Sequence, residues 1–110
     1  MQPFTAFTDL TNEMAIPTDG TLSRVLFRDE RIRVVGFAFD VDQELTEHTA
    51  ASAAVIQVVS GRLRLTLGGE SIDLGPTGWV YMAPGLPHSV VAAEPTVMLL
   101  TMLPARTETA

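Results

Sequence analysis

Two histidines, His48 and His88, stand out in a chain of 110 residues that has no cysteine and no lysine. Without cysteine there is no structural disulfide, thiolate nucleophile or cysteine-based zinc site. Without lysine there is no Schiff-base chemistry and no P-loop. Proton transfer, ligand anchoring and metal coordination are what remain for an imidazole pair. His88 follows the turn Ala83-Pro84-Gly85-Leu86-Pro87. Two prolines fix φ there and a glycine tolerates positive φ, so the chain turns and His88 opens the returning strand, aimed inward. His48 also heads an apolar run, and the two are expected to meet inside one pocket.

The elements that would hold them read as strand, turn, strand. Arg24 to Phe27 is a short strand, and Arg31 to Phe39 alternates before turning apolar on both faces. Leu45 to Ser60 follows the acidic turn Asp40-Val41-Asp42-Gln43-Glu44, with Ala53 to Val59 as a buried strand. Leu63, Leu65 and Leu67 alternate with polar residues, Gly68-Gly69 supplies a hairpin, and Ile72 and Leu74 return. Trp79 to Met82, His88 to Val91 and Val97 to Leu103 complete the set. Short strands with regular turns and no long helix predict an all-β, antiparallel double-sheet sandwich or barrel. Residues 1–22 read as an N-terminal arm over a sheet, with one helical turn between Asp9 and Ala15. Residues 23–104 form the barrel and 105–110 a frayed tail.

Here the sequence resembles a family. From about Ser23 to Leu103 it is similar to a small single-domain cupin of the RmlC-like type, a jelly-roll barrel whose two sheets line a central pocket. The family's second motif is glycine, five residues, proline, one, glycine, two, histidine. Gly85 and His88 match its end, with Ala83 in place of the proline and Thr77 in place of the first glycine. Its first motif is glycine, five residues, His-x-His, three or four residues, glutamate, six residues, glycine. His48 and Gly61 match at the correct separation. Asp42 replaces the opening glycine, Ala50 the second histidine and Ala54 the glutamate. The resemblance implies a metal site with His48 and His88 as the two ligands kept.

Strand alternation puts Thr46, His48, Ala50, Ser52 and Ala54 on one face, unless a bulge intervenes. Glu44 shares that parity at the strand start, and Glu47 faces the other way. Pocket lining is expected from Ala50, Ser52, Ala54, Ile56, Val80, Met82 and Val90. Val80 and Met82 inward leave Trp79 and Tyr81 for a rim or a subunit contact. Gln57, in an apolar strand, needs a hydrogen-bond partner if buried. Two imidazoles leave at least two positions of a tetrahedral metal to other donors. Zinc, nickel and copper are the divalent candidates by ligand softness, and iron is a further candidate.

Three functions fit these residues. The favoured one is a binding domain whose apolar pocket holds a small organic molecule against two histidines. The alternative is a metal-dependent enzyme of dioxygenase, isomerase or lyase type, with a Lewis-acidic metal on an incomplete site. The third is a non-catalytic interaction module. A net charge of −6 argues against nucleic acid as a partner. Arg24, Arg28, Arg31 and Arg33, interrupted by Asp29 and Glu30, read as a solvated hairpin rim. No apolar run is long enough for a membrane span, and the start lacks a basic leader region, so the expected location is cytoplasmic. Apolar residues at outward positions (Val55, Val59, Val91) predict a homodimer with one sheet covered by a second subunit.

Overall fold

The computed structural model describes residues 3–104; the tail expected from residue 105 onward lies outside them. Within this range the chain forms one short helix and nine strands. The strands are β1 (Thr21–Arg28), β2 (Arg33–Phe39), β3 (Glu44–His48), β4 (Ala53–Ser60), β5 (Leu63–Leu67), β6 (Glu70–Leu74), β7 (Trp79–Met82), β8 (His88–Ala92) and β9 (Thr96–Leu103). They build two antiparallel sheets, a five-stranded one in the order β1-β2-β9-β4-β7 and a four-stranded one in the order β3-β8-β5-β6.

The two orders match in a telling way. β2 is joined to β3, β9 to β8, β4 to β5 and β7 to β6 by short connections, and these pairs stand at corresponding places in the two sheets. Each of these turns carries the chain from one layer to the other, which is jelly-roll topology. The core lies between the layers. Phe39, Ile56, Leu63, Leu65, Val90 and Met98 are all fully buried there. Along β4 and β8 the period-two pattern holds: Ala54, Ile56 and Val58 face inward, as do His88, Val90 and Ala92. Gln57 is exposed on the outer face, so it has no buried amide to satisfy.

The N-terminal segment lies on this chain's own five-stranded sheet. Its helix, α1 (Leu10–Glu13), is a single turn capped by Asp9, whose Oδ1 accepts from the Thr11 and Asn12 amides at 3.1 and 3.3 Å. Met14, just beyond, is buried with Ala38 and Val97 on the outer face, and Leu26 and Val59 pack against them. Gly36 makes the close approach possible, since a Cβ there would sit 2.7 Å from the Met14 sulfur. The Arg24 guanidinium pairs with Glu13 at 3.0 Å and fastens the arm to β1. Val59 is thus covered by the arm.

Three turns share one device. In Asp40–Gln43, Gly75–Gly78 and Ala83–Leu86 the amide of the fourth residue donates to the carbonyl of the first, at 3.2, 2.9 and 3.3 Å. The third residue of each has positive φ: Asp42 at 68°, Thr77 at 68° and Gly85 at 81°. This is the arrangement for which a type II turn prefers glycine. Asp42 and Thr77 occupy the two motif positions where the family that the sequence resembles has glycine. At both positions the backbone takes the positive φ that glycine adopts readily, although the residue is not glycine.

Candidate functional site

His48 reaches the interior through a β-bulge. Leu45 lies opposite Val90 and His48 opposite His88, so three residues of β3 span two of β8. The extra residue puts His48 on the same face as the inward-facing Leu45. Strict alternation had placed Glu44 and Thr46 on that face. Instead, Glu44 pairs with Val91 on the outer side of the sheet, and Thr46 is exposed. Nothing in the residue types of Thr46-Glu47 marks the irregularity.

The two imidazoles touch. Their ring centroids are 4.2 Å apart and their planes are inclined by 61°, edge to face. His88 is buried at 7% exposure, whereas His48 is exposed at the mouth. Each ring is held by the carbonyl two residues before it. His48 Nδ1 lies 2.9 Å from the Thr46 oxygen, and His88 Nδ1 lies 2.9 Å from the Leu86 oxygen. A carbonyl only accepts, so both Nδ1 atoms are assigned the proton, and a neutral ring then carries its lone pair on Nε2. Neither Nε2 has a protein partner among the described residues.

The surrounding segments are tied together at this end. The Gly85 amide donates to the Ala50 carbonyl at 2.8 Å, and the Gly68 amide to the Pro87 carbonyl at 2.9 Å. Ala50 and Ser52 fall in the non-strand stretch between β3 and β4, so alternation does not govern where they point. Ala54, Ile56, Met82 and Val90 are buried members of the core between the sheets, and Val80 packs against it. Trp79 and Tyr81 are on the opposite, outer face. A groove of about 880 Å³ lies away from the histidines, between Phe4, Phe7 and Leu10 of the arm and Leu26, Val34 and Leu99 of the sheet.

The donor set does not make up a complete metal site. Among the described residues no three of His, Asp and Glu come together. Ala54, where the related motif has a carboxylate, offers only a methyl group. Two imidazoles are short of the three protein ligands usual in catalytic zinc centres.

No family model matches the chain, and no curated protein matches it. Solved structures do. A conserved protein of unknown function from Streptococcus pyogenes superposes with a TM-score of 0.86 at 27% identity, covering 96% of this chain and 93% of the other. A cupin superfamily protein from Desulfitobacterium hafniense gives 0.76 at 20% identity, over 79% and 80%. An RmlC-like cupin from Shewanella frigidimarina gives 0.74 at 23%, over 80% and 79%. The fold is that of a small cupin jelly roll. The wider class is all-β, and the particular architecture is the one the two motif remnants imply.

Proposed function

We propose that this chain is a small-molecule-binding cupin domain, working as a homodimer, whose binding point is the His48–His88 pair. One observation carries the reading: two imidazoles in contact, each held through Nδ1 by the carbonyl two residues before it, with neither Nε2 bonded to a protein group among the described residues. His88 is buried with its Nδ1 satisfied by the Leu86 carbonyl, so its Nε2 is the acceptor the ring can offer a ligand. Holding both rings in fixed rotamers means that little ordering entropy is lost when a ligand arrives. The neighbouring Met82, Ala54 and Val90 supply apolar wall.

The test is a thermal-shift screen of a small-metabolite library, with His48→Ala and His88→Ala as counter-screens. The reading expects compounds that stabilise the native chain and lose that effect in both variants. A screen in which every stabilising compound acts equally on the alanine variants would remove it.

A metal-dependent enzyme is the second reading, favoured by the same Nδ1 anchoring, which is how metal-ligating histidines are usually oriented. Elemental analysis of protein purified without chelator or affinity tag decides it. Stoichiometric metal that disappears in either alanine variant supports this reading. Metal content near zero, with a melting temperature unmoved by nickel, zinc or iron, excludes it.

A further inference from the structure

The histidines are not the only polar groups at this end of the jelly roll. On β2 the residues that share parity with Arg33 are Val35, Phe37 and Phe39, and Phe39 is buried in the core between the sheets with Phe37 packed against it. The ladder confirms the face. Arg33 pairs with Met102, Met102 with Ala54, and Ala54 with Met82, which puts Arg33 on the same inward row as these core residues. On its other side Arg33 lies directly opposite Arg28 of β1. The two arginines therefore start from one rung, both exposed, and Arg28 also borders the groove beneath the arm on the outer face.

The layer correspondence says what they face. β2 stands over β3 and β9 over β8, with β2 starting at the end where β3 stops. Arg33 opens β2 and His48 closes β3. The corner is thus Arg33 and Met102 on one layer, His48 and His88 on the other. The carboxylate on the equivalent row of the second sheet is Glu70, which pairs with Leu67, the neighbour of His88. Two inter-strand steps separate it from His88, about 10 Å.

Like charges directly opposite on a ladder are destabilising. Neither guanidinium is in an ion pair among the described residues; the two pairs found there are Arg24–Glu13 and Arg64–Asp73. The neighbouring Asp29 is engaged with its own turn, its Oδ1 accepting from the Arg31 and Ile32 amides at 2.8 and 3.0 Å. In a chain with thirteen acidic residues and seven basic ones, an arginine on the inward row with no ion-pair partner among the described residues marks a place for an anion.

We infer that the ligand is a small hydroxycarboxylic acid, its carboxylate held by Arg33 and its hydroxyl donating to an Nε2 of the histidine pair. The chemistry at each end dictates the class. A guanidinium fork matches a carboxylate. A neutral imidazole nitrogen that only accepts needs a donor such as a hydroxyl. This inference rests on the histidine pair being the binding point, and the experiment separates the two.

The probes are glycerate, glycerol, which lacks the charge, and propionate, which lacks the hydroxyls. Each is titrated while the imidazole resonances of His48 and His88 are followed by NMR. Glycerate is expected to saturate, with both rings shifting, and to bind at least about tenfold more tightly than either analogue, as removal of one charged hydrogen bond implies. Arg33→Gln should bring glycerate down to the glycerol value, leave glycerol unchanged and keep the fold, since Arg33 is exposed at a strand start. Arg33→Lys should fall between. Glycerate and glycerol shifting the rings alike, or an Arg33→Gln variant that binds glycerate as before, would overturn the carboxylate role while leaving the histidine site intact. Rings unmoved by all three compounds would overturn the inference itself.

Discussion

Thr77 holds a β-branched side chain at φ 68°, in the third position of the Gly75–Gly78 turn. That conformation disfavours any residue with a branched Cβ. Thr77→Gly should therefore stabilise the chain by about 1 kcal/mol, the lower end of what a left-handed non-glycine residue costs. Urea unfolding of the two proteins measures it, and an unchanged or lowered midpoint would contradict the strain. Asp42, also at 68°, should gain less on the same replacement, because aspartate tolerates this region better. Gly61 is the opposite case. At φ 91° its missing Cβ is replaced in space by the Pro95 carbonyl and the Thr96 side chain, so Gly61→Ala should be strongly destabilising. The sequence announced all three turns through Pro, Gly and Asp. It did not announce that Thr77 keeps a glycine conformation, because that is a property of the backbone path and leaves no mark on residue type.

At the scale of elements, the bulge in β3 decides whether a pocket histidine exists at all. Counting by twos from Glu44 put the wrong residues beside His48, because a one-residue excess exchanges the faces of everything beyond it. Deleting Glu47 tests the geometry directly. The shortened strand can pair regularly from Leu45 to His48, so contact between the two imidazoles should survive, seen as cross-relaxation between their ring protons. An unbulged strand would instead lose the contact on deletion. The corner between β2 and β3 carries a pH dependence. The amides of Asp19 and Val41 donate to the Asp40 carboxylate at 2.7 and 2.8 Å. These bonds hold its pKa below the ordinary 3.8. A lowered folded-state value means the stabilisation is present above 3.8 and is lost as pH falls through the folded value beneath it. Hydrogen-exchange protection of the Asp19 and Val41 amides should drop in that acid range, and Asp40→Asn should flatten the dependence. The succession of strands and turns along the chain was legible, since leucine alternation and the Gly68-Gly69 hairpin report burial and turning locally. The pairing that brings His48 onto His88, forty residues away, depends on register and was not.

For the whole molecule, the two outer faces differ in a way that bears on the proposed dimer. The four-stranded sheet shows solvent a polar surface, with Arg64 paired to Asp73 and Thr66 beside Ser71. The five-stranded sheet is more apolar outside, with Gln57 the exposed polar residue opposite Trp79. Met14 and the arm cover its β2 and β9 portion, while β4 and β7 carry Val55, Trp79 and Tyr81 with no cover from this chain. Trp79 and Tyr81 are 57% and 52% exposed on an edge strand that has neither proline nor a charged side chain to discourage pairing. Two exposed aromatics and a half-buried valine on an edge strand and its neighbour form the kind of patch that drives self-association. Sedimentation should find the chain dimeric at micromolar concentration and Tyr81→Glu shifted toward monomer. Since Tyr81 and the histidine pair lie on opposite sides of the sheet, the variant should keep its imidazole contact. A monomeric native chain would refute this surface, and a Tyr81→Glu variant still fully dimeric would move the contact elsewhere on the molecule.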